Sequence, residues 1–368
     1  MADPRLVPLA LLPPTTVLLL VLLPSRVGCA LAAFASLLWL GLASVVLSRL
    51  ALNPAPAVPC RGRWDRELVV VTGGAGGIGY ELVRKLEDLG ASVVVLDTRP
   101  SDFPLRERSM FIQADVSDRA SVDAARDAIA ARFGQAPTAL VANAGVLRGG
   151  GDTLLDIAEA DLRSTLDVNL LGVLFCVRAF MPAMVAADRG HVIVASSVAA
   201  LSPAAGVVAY AASKAALTCA VQGLQTELKH RLGNPSVKIS AVFPAAVRTP
   251  MFSMMDLPVP EAIMPLLEPE EVADRMVQIL ADGESSGDDV DDAVSDMVMM
   301  PTMASTSSWI PAMPHWMRVA IQDAGARGTA RLAAAKSRAV GAAVAGACSD
   351  GEAQGAGKRG DGMINMTL

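Results

Sequence analysis

Tyr210 and Lys214, in the run Tyr210-Ala211-Ala212-Ser213-Lys214, stand four positions apart and so fall on one face of a helix. A phenol with an ordinary pKa of about 10 is a poor base at neutral pH, but a neighbouring ammonium stabilises phenolate and lowers that pKa. Such a pair can move a proton to or from an alcohol oxygen. Ser197 lies thirteen residues earlier, just after an apolar run ending at Ala195, where its hydroxyl can hydrogen-bond a substrate oxygen as charge develops on it. Ser196 competes for the same role. Asn169, in Asp167-Val168-Asn169-Leu170, lies in a helical stretch, either as a further polar group of the site or as a satisfied core amide.

A second group of residues suits a phosphate-bearing cofactor. Thr72-Gly73-Gly74-Ala75-Gly76-Gly77-Ile78-Gly79 follows a predicted strand and opens a predicted helix, the context that a dinucleotide-binding glycine loop requires. Glycines let the backbone turn tightly and approach a pyrophosphate, while the helix start offers free N–H groups and partial positive charge. Eighteen residues after Gly79, Asp97 ends the next strand, close to the interval at which an acid meets the adenosine ribose hydroxyls. A carboxylate there repels a 2′-phosphate, which favours NAD over NADP, although Arg99 nearby partly offsets the repulsion.

These groups need a scaffold. From Glu67 onward, short β-branched runs alternate with helical stretches, which predicts βαβ units and a doubly wound parallel sheet of the Rossmann type, an α/β fold. The expected strands are Leu68 to Thr72, Ser92 to Leu96, Met110 to Gln113, Ala139 to Ala142, His191 to Ala195 and Lys238 to Phe243, with Met297 to Pro301 as a last one. Between the second and third, Thr98 to Ser109 is too short and proline-interrupted for a full helix. The run from Asp282 to Asp296 holds seven acids and no base and is expected to be a solvated loop. Eleven of the seventeen methionines fall between Met251 and Met317, as a pliable lid over an apolar substrate or as ordinary core.

The chain is expected to divide into an anchor and linker over residues 1–60, a catalytic domain over 61–322 and an Ala/Gly-rich tail over 323–368 that buries too little surface to order itself. Two uncharged apolar runs, Leu6 to Leu23 and Val27 to Ser48, precede the domain. The second is long enough to span a bilayer core, which takes roughly 20 residues. The first is broken by Pro8, Pro13 and Pro14, so one span and a proline-bent hairpin both remain open, with a cleaved signal peptide as the alternative. Arg49, Arg61, Arg63 and Arg66 follow the second run, an excess that stays on the cytoplasmic side. Hydrophobic residues make up 52% of the chain and charged ones only 18%, a balance that predicts contact with lipid.

Jointly, these features resemble the short-chain dehydrogenase/reductase family from about Glu67 to Pro301. The likeness rests on the glycine loop, Asp97, Asp115-Val116, Asn143-Ala144-Gly145, Asn169, Ser197, Tyr210, Lys214 and the segment Pro244 to Thr249. It implies a catalytic tetrad in which Tyr210 is the acid/base, Lys214 tunes it and holds the nicotinamide ribose, Ser197 positions the substrate and Asn169 supports a proton-relay water. It further implies that Gly73, Gly77, Ile78 and Gly79 hold the pyrophosphate, that Asp115 and Val116 flank adenine, that Asn143, Ala144 and Gly145 line the cofactor floor, and that Val247 and Thr249 touch the carboxamide end. Two positions depart from the pattern: Ala142 stands where many relatives have a first Asn, and Ala245 replaces the Gly of the usual Pro-Gly pair. Phe180-Met181-Pro182-Ala183-Met184 and Leu267-Glu268-Pro269-Glu270-Glu271-Val272 are similar to the membrane-bound branch of retinol and hydroxysteroid dehydrogenases.

Other chemistries have little to build on. Five scattered cysteines and three histidines without a close pair offer no metal site, and a net charge of −6 gives no field for nucleic acid. The expected protein is therefore a membrane-associated alcohol dehydrogenase or ketone reductase using NAD, with NADP less favoured, for a lipophilic substrate. The resemblance implies a homodimer, and the anchor places the protein at the endoplasmic reticulum or a lipid droplet with its catalytic domain in the cytosol. The alternatives are an NADP-dependent reductase of a lipid ketone and a catalytically silent, cofactor-binding membrane scaffold.

Overall fold

A computed structural model describes residues 34–36, 39, 63–100, 103–233, 236–251, 266–281, 297–301, 310–323 and 326. The anchor expected over residues 6–48 lies almost wholly outside the described residues, as do the acidic run, much of the Met-rich segment and the tail. The chain divides into two units, residues 1–54 with 285–295, and residues 55–284 with 296–368. The second unit contains the sheet and the helices that cover it.

Seven strands form that sheet: β1 (Leu68–Thr72), β2 (Ser92–Asp97), β3 (Met110–Gln113), β4 (Ala139–Ala142), β5 (Gly190–Ala195), β6 (Val237–Pro244) and β7 (Met297–Met300). Their order is β3-β2-β1-β4-β5-β6-β7 and every pairing is parallel. This is the doubly wound arrangement expected from the alternation of runs, reversing direction between β1 and β4. Central strands such as β1, Leu-Val-Val-Val-Thr, are apolar throughout because helices cover both faces. Successive β1 residues serve opposite layers. Leu68 and Val70 join the cluster that includes Ile129, Phe180 and Leu217, while Val69 and Val71 join the one that includes Leu82, Leu86 and Met276.

On one face lie α1 (Gly77–Asp88) and, after β6, the later helix Pro269–Ala281; on the other lie α2 (Arg119–Phe133), a long composite helix and the helix Val208–His230. The composite helix consists of α3 (Glu159–Leu166), a π-helical turn (Asp167–Gly172) and α4 (Val173–Ala186). The next two helices in chain order are α5 (Val208–His230) and α6 (Pro269–Ala281). By length and composition Glu159–Ala186 is apolar enough to cross a membrane, yet α4 gives Cys176, Phe180 and Met184 to the core beside β4 and β5. It is a core helix of the sheet.

The link between β2 and β3 has no helix among its described residues, as its prolines predicted. It is strapped onto α1 instead. The Arg106 N–H donates to Glu87 Oε1 (2.9 Å), its guanidinium donates to Glu87 O (2.8 Å), and Phe103 meets Tyr80 edge to face at 4.6 Å between centroids.

Candidate active site

β1 delivers the glycine loop to the start of α1. Gly73 and Gly77 adopt φ of +66° and +55°, a region that side-chain-bearing residues rarely enter. Gly79 is required for another reason, since a Cβ there would lie 2.1 Å from Gly73 O and 2.9 Å from Asn143 Nδ2. The N-cap of α1 is Gly76, with no side-chain cap and no acid in the first turn. The open N–H groups of that turn and their partial positive charge are left to an outside acceptor. A Cβ on Gly76 would meet nothing within 4 Å, so there is room above the loop. Asp97, buried at the end of β2, accepts from the N–H of Ala75 and of Arg99, both at 3.1 Å. One carboxylate thus fixes the loop from the end of β2.

Residues Asn143 to Val146, just after β4, are the segment expected to form the cofactor floor, and they are bonded to the glycine loop. Thr72 Oγ1 accepts from the N–H groups of Asn143 (3.0 Å) and Ala144 (2.9 Å), and Asn143 Nδ2 donates to Thr72 O (3.2 Å) and Gly73 O (3.3 Å). Asn143 Oδ1 is buried with no hydrogen-bond partner among the described residues, an acceptor that a bound group can use. Gly145 is buried in the same turn. Ala142, in place of an Asn, pairs within the sheet with Thr72 and Val194 and leaves the floor intact. An uncapped helix start, room above Gly76 and an orphaned floor acceptor fit a dinucleotide. Gly73, Gly77, Ile78 and Gly79 would hold its pyrophosphate, and Asn143, Ala144 and Gly145 would lie beneath it.

Asp115 and Val116 follow β3. Asp115 is exposed, and its carboxylate accepts from Ser117 N–H (2.9 Å) and Ser117 Oγ (2.7 Å). Val116 is buried against Gly172, where a Cβ would lie 2.8 Å from Val116 Cγ2. At the other end, Val247 and Thr249 are buried in the turn after β6, with Val247 bridged to Leu267. Ala245 avoids positive φ and donates its N–H to Met300 O (2.8 Å), so no glycine is needed there.

The proton-transfer groups converge at the ends of β5 and β6. Ser197 ends an extended segment and hydrogen-bonds the Tyr210 hydroxyl. Its Oγ also accepts from Ala199 N–H (3.2 Å) and donates to Pro244 O (3.4 Å). Ser196 points the other way, donating to Lys214 O (3.2 Å) and contacting Thr218 Oγ1 (3.3 Å), which decides between the two serines. Lys214 Nζ donates to Ala195 O at 2.8 Å and lies 5.6 Å from the Tyr210 ring centroid. Asn169 sits in the π-turn, fully buried. Its Oδ1 accepts from Val146 N–H (2.7 Å), and its Nδ2 donates to Val146 O (2.8 Å) and Ser213 Oγ (3.2 Å). Its side chain is therefore a satisfied amide that positions the floor and, through Ser213, the tyrosine.

The electrostatics correct one expectation. Instead of a phenol lowered by a neighbouring ammonium, burial pushes Tyr210 up to about 12, opposed only by the Ser197 bond, and burial pushes Lys214 down to about 7. Desolvation disfavours both charged forms. The resting tyrosine is a neutral acid.

Beside Tyr210 is a cleft whose walls include Leu147, Arg148, Asp152, Leu154 and Ile157. Sequence reasoning passed over it. The available signal was the glycine turn Arg148-Gly149-Gly150-Gly151-Asp152 directly after the floor, with a charge at each end.

A seven-stranded parallel sheet with a glycine loop over one end and a Ser–Tyr–Lys cluster beside it defines a nicotinamide-dependent oxidoreductase of alcohols and carbonyls. The chain belongs to the short-chain dehydrogenase family, whose sequence model matches residues 67–257. It is 37% identical over 182 residues to Dehydrogenase RED2 of Cochliobolus heterostrophus, covering 49% of this chain and 68% of that protein. It is 33% identical over 224 residues to human Short-chain dehydrogenase/reductase 3, covering 58% and 72%. A short-chain dehydrogenase from Burkholderia cenocepacia, solved in complex with NADP, superposes with a TM-score of 0.56 at 24% identity, over 69% of this chain and 96% of that one. That likeness extends to the fold.

Proposed function

We propose that this enzyme interconverts a lipophilic alcohol and its carbonyl compound at a membrane surface, with NAD as the preferred cofactor. The observation that carries the reading is the placement of Tyr210, with Ser197 and Lys214 beside it, in the wall of a cleft that also includes Leu147, Leu154, Ile157, Val207 and Val208. The apolar runs before residue 49, and the likeness of two segments to the membrane-bound retinol and hydroxysteroid branch, support a lipid setting.

A bound nicotinamide supplies or takes up the hydride. The chain's own residues handle the proton. In reduction, Tyr210 Oη, neutral at rest, gives its proton to the carbonyl oxygen while Ser197 steadies that oxygen. In oxidation, Tyr210 must first ionise, and protonated Lys214 is the group placed to favour phenolate. Asp97 supports NAD, because its buried carboxylate stands where a 2′-phosphate would bring a second negative charge.

The test uses the full chain in lipid vesicles, with straight-chain alcohols and ketones of increasing length and both cofactors. Turnover that rises with chain length and favours NAD is expected. Tight cofactor binding without turnover of any substrate would instead identify a silent scaffold, and preference for NADP would shift the assignment to a ketone reductase. Protease digestion of sealed microsomes checks the topology. The catalytic domain is expected to be cut without detergent, and protection would place it in the lumen.

A further inference from the structure

The cleft beside Tyr210 is not uniformly apolar: Arg148 and Asp152 stand in its wall among Leu147, Leu154 and Ile157. Both are half-buried, and Arg148 Nε is out of contact with solvent. A glycine turn sets them there. Asp152 N–H donates to Gly149 O (3.0 Å), Gly149 has φ of +60°, and a Cβ on it would lie 2.6 Å from Ile157 Cγ1. Gly151 N–H donates to Gly206 O (2.9 Å), which ties the turn to the segment leading into Tyr210. The two charges are therefore held on the scaffold that carries the acid/base.

We infer that Arg148 and Asp152 read a second oxygen function on the substrate, a hydroxyl or carbonyl set back from the reacting carbon on an otherwise apolar skeleton. The inference rests on the reading of the cleft as an alcohol or carbonyl site and narrows its substrate class. A guanidinium carries five donors and a carboxylate about four acceptor sites, so each can serve more than one partner. Arg148 can donate to either oxygen type and Asp152 can accept from a hydroxyl. A carboxylate on the substrate is disfavoured, because Asp152 faces the same cleft. Sites built to hydrogen-bond a hydroxyl discriminate against the analogue lacking it.

The experiment compares dodecan-2-ol with dodecanediols that keep the 2-hydroxyl and carry the second at successive positions. Full-length enzyme in detergent micelles is used with its preferred cofactor. At least one diol is expected to exceed the mono-alcohol in kcat/KM by about tenfold or more, the scale of a hydrogen bond to a charged group. Arg148→Met should remove most of that preference, read as the ratio of diol to mono-alcohol kcat/KM, and Arg148→Lys should keep part of it. Equal handling of all substrates by the wild type overturns the inference while leaving the alcohol dehydrogenase reading in place. So does an equal loss on every substrate in Arg148→Met, which would mark Arg148 as a brace for the loop. No turnover of any member overturns both.

Discussion

Replacing Gly79 by alanine and, separately, Gly76 by alanine should split two functions of one loop. At Gly79 the new Cβ would stand 2.1 Å from Gly73 O and 2.9 Å from Asn143 Nδ2. Neither is the end of a flexible side chain: the oxygen is backbone, and the amide is held by two bonds at the floor. The loop must move by about 1 Å, an overpacking that costs about 1–3 kcal/mol and in so rigid a setting more. The better helix propensity of alanine returns at most about 1 kcal/mol. At about 2–4 °C per kcal/mol for a domain of this size, Gly79→Ala should melt several degrees lower and lose cofactor affinity as well. At Gly76, φ is −166° and nothing lies within 4 Å, so Gly76→Ala should melt within about 1 °C of wild type. Its methyl would nevertheless enter the room expected for pyrophosphate and weaken cofactor binding tenfold or more. Thermal melts without cofactor, paired with calorimetric titration of NAD, measure both effects. Full affinity in Gly76→Ala would refute placing the pyrophosphate over this loop, and an unshifted melt in Gly79→Ala would refute the close packing.

Tyr210→Phe should keep fold and cofactor affinity but lose about 10²–10⁴-fold in kcat, since only the transferable proton is removed, and near-normal turnover would exclude Tyr210 as the acid/base. Asp97→Ala should weaken NAD binding, because the bond to Ala75 N–H goes too, and should raise the NADP-to-NAD ratio of kcat/KM by more than tenfold; an unchanged ratio counts against discrimination by this carboxylate. His191 is buried against Ser240 Oγ (2.9 Å), and desolvation, helped by Lys238, pushes it down to about 3. The unfolded chain therefore takes up a proton as pH falls through about 6.5 while the native chain does not, and stability falls by about 1.4 kcal/mol per pH unit between there and about 3. Melts at pH 7.5, 6.5 and 5.5 should show a shallower acid loss in His191→Gln, and parallel curves would assign the acid limb to other groups.

The parts legible in the sequence were those dictated by the backbone or by short spacings. Seven parallel strands can be read from apolar runs such as Val93 to Leu96, because strands covered on both faces cannot alternate. The glycine loop is legible because Gly73 and Gly77 need positive φ, and Tyr210 with Lys214 because one helical turn joins them. What was hidden depends on distant partners. Nothing near Ser196 in the chain says that it turns toward Thr218, and nothing near Asp97 says that it holds the glycine loop as well as standing where the ribose is expected. The phenol's pKa went the wrong way because sequence places Lys214 beside Tyr210 but cannot show that both are sealed from water.

Those hidden contacts make one device of the two halves of the site. The segment Asn143 to Val146 is bonded at its start to Thr72 and Gly73 of the cofactor loop and at its end to the Asn169 side chain. Asn169 in turn holds Ser213 Oγ, which donates to the Tyr210 carbonyl at 2.6 Å. A continuous run of buried hydrogen bonds thus leads from the glycine loop to the acid/base, and all but the last join residues far apart in sequence. Buried polar networks of this kind are costly when half satisfied and rigid when complete. Proton transfer demands rigidity here, because the hydroxyl and the cofactor must meet one substrate carbon and its oxygen together. The π-turn at Asp167–Gly172 belongs to the same device: it carries Asn169 toward Val146, and its Gly172 lets Val116 pack closely, bringing the wall expected beside adenine onto the same helix. The one π-helical turn among the described residues therefore lies where the expected cofactor floor, the expected adenine wall and the helix carrying Tyr210 meet.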